Sequence, residues 1–236
     1  MIKTFTKLAT LLTIILLFAS CVVSGQDNYS YVDLTLKTRQ NSEASGKFKN
    51  SLIEIENEYK ASFYVEATAD DLEQSITAKD YLLKDSGESY MAVTLTVPSG
   101  SQRKFTAVLF TVDENIFSAY QTNTEMAVDL EDGENKTITL EVMETLYGTA
   151  VAKIDAFEDD YKLYLVDKQT SIKLYSIKCQ QSNDLHQCNL PRIPVKRELV
   201  PAVFRPYSED IILDQKSFSI DNEGEEYKLE LSIALD

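Results

Sequence analysis

Met91-Ala92-Val93-Thr94-Leu95-Thr96-Val97 alternates apolar and polar residues, then stops at Pro98-Ser99-Gly100. A period of two puts Met91, Val93, Leu95 and Val97 on one face of an extended chain, whereas a helix would scatter them. The same alternation runs through Tyr31 to Leu36, through Phe63 to Ala67, and through Ile138, Leu140 and Val142. It returns near the end in Tyr227, Leu229, Leu231 and Ile233. Asp85-Ser86-Gly87, Asp132-Gly133 and Asn222-Glu223-Gly224 punctuate these runs with turn chemistry. Only Asp70 to Ile76 reads as a helical turn. Many short strands with regular turns predict an all-β chain built as two antiparallel β-sandwich domains.

The division into two rests on an internal repeat. In the first half Val97-Pro98 is followed by Arg103-Lys104, the run Ala107-Val108-Leu109-Phe110, the acidic turn Asp113-Glu114-Asn115, and Ile116-Phe117. Ala127 to Gly133 and the strand Thr137 to Val142 close it. In the second half Leu190-Pro191 precedes Lys196-Arg197, Ala202-Val203-Phe204, the turn Ser208-Glu209-Asp210, and Ile211-Ile212. Phe218 to Gly224 and the strand Tyr227 to Ile233 close that half. The order of features is the same, so residues 29–146 and 147–236 read as tandem sandwiches meeting near Thr145 to Thr149.

The 236 residues are 44% hydrophobic and 26% charged, which excludes wholesale disorder. The net charge of −15 opposes phosphate backbones, so nucleic acid is not an expected partner. At the N-terminus Lys3 and Lys7 precede an apolar run from Leu8 to Ala19, too short for a stable spanning helix and suited to a signal peptide. Its ending, Leu17-Phe18-Ala19-Ser20-Cys21, resembles the lipobox of bacterial lipoproteins, with Phe18 where that family usually has Leu. The resemblance implies cleavage after residue 20 and acylation of Cys21, leaving residues 21–28 as a tether and a lipid as the membrane attachment. Losing Lys3 and Lys7 and no acid would take the charge from −15 to −17. Val22 follows Cys21, where an Asp would imply inner-membrane retention, so the resemblance implies the outer membrane. Cleavage after Val23-Ser24-Gly25 is the alternative; it would discard Cys21 and give a secreted protein.

Leu95 to Val142 also resembles a sandwich domain of bacterial surface lipoproteins. Such domains carry Val-Pro-x-Gly, a basic or polar pair, and a closing Val-Asp-Leu-x-x-Gly hairpin. Val97, Pro98, Gly100, Arg103, Val128, Asp129, Leu130 and Gly133 match here. The resemblance implies immunoglobulin-like or transthyretin-like architecture and says little about activity.

Chemistry is sparse. His186 is the single histidine, so a Ser-His-Asp arrangement has one candidate, and the seven glycines form no phosphate loop. Cys179 and Cys188 flank a polar, hairpin-sized loop and suit a disulfide in an oxidising compartment. A metal site using Asp184 and His186 is the alternative, and it lacks further ligands. Glu158-Asp159-Asp160 and Asp129-x-Glu131-Asp132-Gly133 are the acidic clusters a calcium ion would prefer; neither has EF-hand spacing. No carboxylate pair is marked out for glycoside hydrolysis. Thirteen tyrosines, among them Tyr161, Tyr164 and Tyr175, offer either core packing or amphipathic contact area. Four of the five prolines lie between Pro191 and Pro206 with Arg192, Lys196, Arg197 and Arg205, which reads as an exposed edge and a candidate contact patch. The expectation is a non-enzymatic envelope lipoprotein that needs no cofactor or metal and acts as a structural module or by binding an envelope protein. The alternative is a glycan-binding surface lipoprotein, calcium-assisted or not.

Overall fold

The computed structural model describes residues 28–39, 59–83, 92–113, 116–155, 161–182, 185–204, 211–212 and 217–232. Every regular element among them is a strand. None forms a helix long and apolar enough to cross a membrane. Residues 70–71 make a turn, in which Leu72 N donates to Ala69 O (3.2 Å), in place of the expected helical turn.

The first half forms one sheet from β1 (Tyr29–Arg39), β2 (Tyr59–Thr68), β3 (Ile76–Leu83), β4 (Ala92–Pro98), β5 (Gly100–Asp113), β6 (Ile116–Thr122), β7 (Met126–Leu130) and β8 (Asn135–Glu144). Its order is β3-β2-β5-β6-β8-β1-β4, with β7 added against β5. The second half uses β9 (Tyr147–Asp155), β10 (Lys162–Asp167), β11 (Ile172–Lys178), β12 (Gln180–Ser182), β13 (Leu185–Pro194), β14 (Leu199–Phe204), β15 (Ile211–Ile212) and β16 (Glu226–Ser232). These make two sheets, β11-β10-β14-β15 and β12-β13-β9-β16.

The sheets are mixed, not purely antiparallel. β1 runs parallel to β8, and β9 runs parallel to β16, so in each half the first strand lies beside the last in the same direction. Alternation tells which face a residue takes but is blind to the direction of its neighbour. A parallel neighbour needs a long connection, and six intervening strands supply it in each half.

Pairings repeat across the halves. β1/β4, β2/β3, β2/β5 and β5/β6 recur as β9/β13, β10/β11, β10/β14 and β14/β15. Turn chemistry repeats as well. Gly133, at φ 70°, donates its N–H to Tyr29 O; Gly224, at φ 75°, donates to Tyr147 O. A left-handed backbone at both points is what requires glycine. In the same turns Glu134 Oε2 accepts from Glu131 N (3.0 Å) and Glu225 Oε2 accepts from Asn222 N (3.2 Å).

One part of the sequence alignment shifts. Pro98 sits opposite Tyr29, and it is Pro194, not Pro191, that sits opposite the equivalent Tyr147. The displacement comes from an irregularity between Leu190 and Ile193, where Arg192 takes φ 53°.

The core of the first half holds Val32, Leu34, Phe63, Val65, Leu95, Phe105, Leu109, Ile138 and Leu140. Tyr64, Val108, Phe110, Phe117 and Ala119, on β2, β5 and β6, belong instead to the cluster containing Tyr147, Leu163, Tyr175 and Leu190 of the second half. The sheets change over between Glu144 and Tyr147, yet the apolar packing runs straight through.

Candidate functional site

The proline-rich basic stretch is mostly interior. Arg192 is 5% exposed and Arg197 is 7% exposed, while Lys196 faces solvent and Arg205 lies outside the described residues. The expected contact patch is therefore not formed by Arg192 and Arg197. A guanidinium can be buried when its N–H groups meet acceptors and a carboxylate offsets its charge. Both arginines meet that condition.

Arg192 stands at the joint between the halves. Its Nε donates to Phe117 O (2.6 Å) and its Nη2 to Glu144 Oε1 (2.7 Å). Its guanidinium lies 3.9 Å from the centroid of the Tyr147 ring. The Tyr147 hydroxyl donates to Glu144 Oε1 (3.1 Å) and accepts from Ala119 N (2.8 Å). Burial pushes that phenol up to about 12, so it stays a neutral donor. Thr145 N donates to Ala119 O (2.8 Å), tying the connecting segment to β6.

Arg197 binds Asp167 through two bonds, Nε to Oδ2 (2.7 Å) and Nη2 to Oδ1 (2.6 Å). Asp167 is fully buried, and its Oδ1 also accepts from Thr170 N and Thr170 Oγ1 (2.8 Å each). In the first half Arg103, 1% exposed, repeats the device. It donates to Pro98 O (2.8 Å), to Ser99 O (2.7 Å) and to both carboxylate oxygens of Asp71. A Cβ on Gly100 would come within 2.3 Å of Arg103 Nη2, so the Pro98-Ser99-Gly100 turn is the seat of that guanidinium. Gln102 and Lys196, each just before the buried arginine, share positive φ values of 55° and 61°.

Other candidates resolve into structure. Cys179 and Cys188 are disulfide-bonded, with Cα atoms 4.4 Å apart, and the bond ties the junction of β11 and β12 to β13. His186 is buried on β13, opposite Gln181 of β12. Asp129 Oδ1 accepts from Gln102 N (2.8 Å), and Asp132 bonds Ser99 Oγ, so this acidic run ties two turns together. Among the described residues no group of three or more His, Cys, Asp or Glu could hold a metal ion. Tyr161 and Tyr175 are core residues, and the Tyr175 hydroxyl donates to Pro191 O (2.8 Å). Tyr164 is half-buried on β10, beneath Lys173. Cys21, Asp184 and Glu158 to Asp160 lie outside the described residues.

No family model matches the sequence, and no curated protein matches it. Solved structures similar to the chain include a leucine-rich repeat protein from Bacteroides thetaiotaomicron, 13% identical, with a TM-score of 0.26. That match covers 88% of this chain, which spans only 26% of that protein. Another is the fimbrial anchor protein Mfa2 from Porphyromonas gingivalis, at 10% identity and a TM-score of 0.30, covering 74% of this chain and 77% of that one. The shaft pilin SpaA from Lactobacillus rhamnosus GG gives 10% identity and a TM-score of 0.27, over 88% and 99%. All three likenesses score low.

Proposed function

We propose that the chain is a non-enzymatic structural module of the cell envelope, held to the membrane by a lipid on Cys21 and working through contact with another envelope protein. The observation that carries this reading is where the buried charge goes. Among the described residues Arg103, Glu144, Asp167, Arg192 and Arg197 are the charged groups in the interior, and each is bonded to another or to backbone. Catalysis asks for titratable groups converging on a cleft. Here they brace turns and join the halves, which is how a stiff spacer is built. The lipobox-like Cys21 and the short tether at residues 21–28 would present that spacer at the membrane, and Val22 favours the outer one.

Cross-linking on intact cells, followed by mass spectrometry, tests the proposal. A reproducible envelope partner, lost when Cys21→Ser releases the chain from the membrane fraction, is the expected result. Recovery of abundant neighbours only, unchanged by Cys21→Ser, would overturn it.

A further inference from the structure

An open sheet edge can pair with another chain, so natural proteins shorten, charge or interrupt their edges. Most edges of this molecule follow that rule. β3 carries Lys79 and Asp80, β7 carries Asp129, β11 carries Lys173, and β16 carries Glu226, Lys228 and Glu230. β12 and β15 are three and two residues long. β4 is different. Over seven residues it has no charge, no interior proline and no shift of register. Among the described residues its paired neighbour is β1 alone, and the sheet does not close on β3. The duplicate of β4 is defended: β13 pairs with β12 over Leu185 to Gln187, and Pro191, Pro194 and the irregularity at Arg192 interrupt the rest.

The phase of the β1/β4 ladder fixes what the free side offers. Ser99 N donates to Asn28 O (2.7 Å), one step beyond the pair Tyr29 and Pro98. Bonded and non-bonded pairs alternate along an antiparallel ladder, so Val97, Leu95 and Val93 point their N–H and C=O at β1. Thr94 and Thr96 turn theirs outward. Pro98 obeys the same phase, since its missing N–H falls where β1 asks for none. A row of main-chain donors and acceptors is complementary to another extended polypeptide.

The sequence of the edge says which one. Val93-Thr94-Leu95-Thr96-Val97 reads the same in both directions. An antiparallel copy centred on Leu95 sets Leu95 against Leu95, Thr94 against Thr96, and Val93 against Val97. Thr94 and Thr96 are the outward-bonding residues, so the register that matches side chains also forms the hydrogen bonds. Val93, Leu95 and Val97 are buried while Thr94 and Thr96 are exposed, so apolar meets apolar and hydroxyl meets hydroxyl across the join. No like charges oppose each other there, although the chain carries −15.

We infer that β4 is the contact surface for a second copy of this chain, joined edge to edge about a two-fold axis at Leu95. Such an interface is isologous and closes at two copies.

Cysteine pairs introduced in intact cells read the register. Thr94→Cys with Thr96→Cys sets cysteines directly opposite between copies and should give a dimer that reductant dissolves. Thr94→Cys alone leaves its two cysteines on a diagonal, about 7–8 Å apart, and should give monomer. Sedimentation of the exported Cys21→Ser chain at up to about 100 μM should show a concentration-dependent dimer. Thr96→Pro removes an outward N–H and leaves the β1 bonds in place; Thr94→Lys adds an edge charge without touching the backbone. Each should weaken the dimer by about tenfold or more. Monomer throughout with no cross-link, cross-linking as strong in Thr94→Cys alone, or a dimer undiminished by both edge substitutions would each overturn the inference.

Discussion

Arg103 with Asp71 and Arg197 with Asp167 are the same device placed in two surroundings. Each arginine follows a residue with positive φ, each is under a tenth exposed, and each takes a carboxylate from near the end of the equivalent strand, Asp167 closing β10 and Asp71 in the turn after β2. The carboxylates differ. Asp71 has a 64% exposed side chain, whereas Asp167 is sealed, with Tyr64 and Phe110 of the first half packed over that end. A buried arginine can therefore seat a turn whether its partner is wet or dry. Only the dry pair makes one half depend on the other.

That contrast sets an order of expected effects. Asp167→Ala strands a buried guanidinium and should cost about 3–5 kcal/mol in urea unfolding. Arg192→Met strands Glu144 at the joint; it should cost roughly 3 kcal/mol, and Glu144→Gln in the same chain should recover part of it. Both losses should appear in a single transition shared by the two halves, since the apolar packing is continuous. Two separate transitions would break the comparison. Cys179→Ser with Cys188→Ser removes a constraint confined to the second half and should cost about 2–3 kcal/mol by chain entropy. Gly133→Ala and Gly224→Ala should cost similar amounts, about 1 kcal/mol each, because both turns demand the same left-handed backbone.

The smallest effect belongs to Asp71. The Arg103 guanidinium beside it holds its carboxyl below the usual range. A lowered folded-state value means that the stabilisation is present above the unfolded value and is lost as pH falls through the folded one. Asp71→Asn should therefore differ from the parent by a constant small amount from pH 5 to 8, and the two should converge only in acid, below about pH 4. A difference that grows between pH 5 and 8 would mean that another group carries it.

Much of this was open to a reader of the sequence. Val93, Leu95 and Val97 announce their face through alternation, and the glycines at 133 and 224 announce their turns. Ala107-Val108-Leu109-Phe110 does not alternate, which is the mark of a strand covered on both sides. That run was the available sign that the halves are fused. The burial of Arg192 and Arg197 was hidden, because an arginine among prolines in an acidic chain looks solvated until its acceptors are located. Glu144 lies 48 residues from Arg192, and Asp167 lies 30 from Arg197. No local pattern links such pairs. Strand direction was hidden for the same reason: the neighbour of β1 is β8, far along the chain.

The parallel pairing of first and last strands also decides how the molecule bears load. A pull on the two ends of either half drags β1 past β8, or β9 past β16, along their common length. In that geometry the cross-strand hydrogen bonds share the force and must fail together, whereas a hairpin pulled open from one end yields them one at a time. A chain tugged between an anchor and whatever grips its far end would thus meet its resistance in these two ladders, long before the cores are exposed.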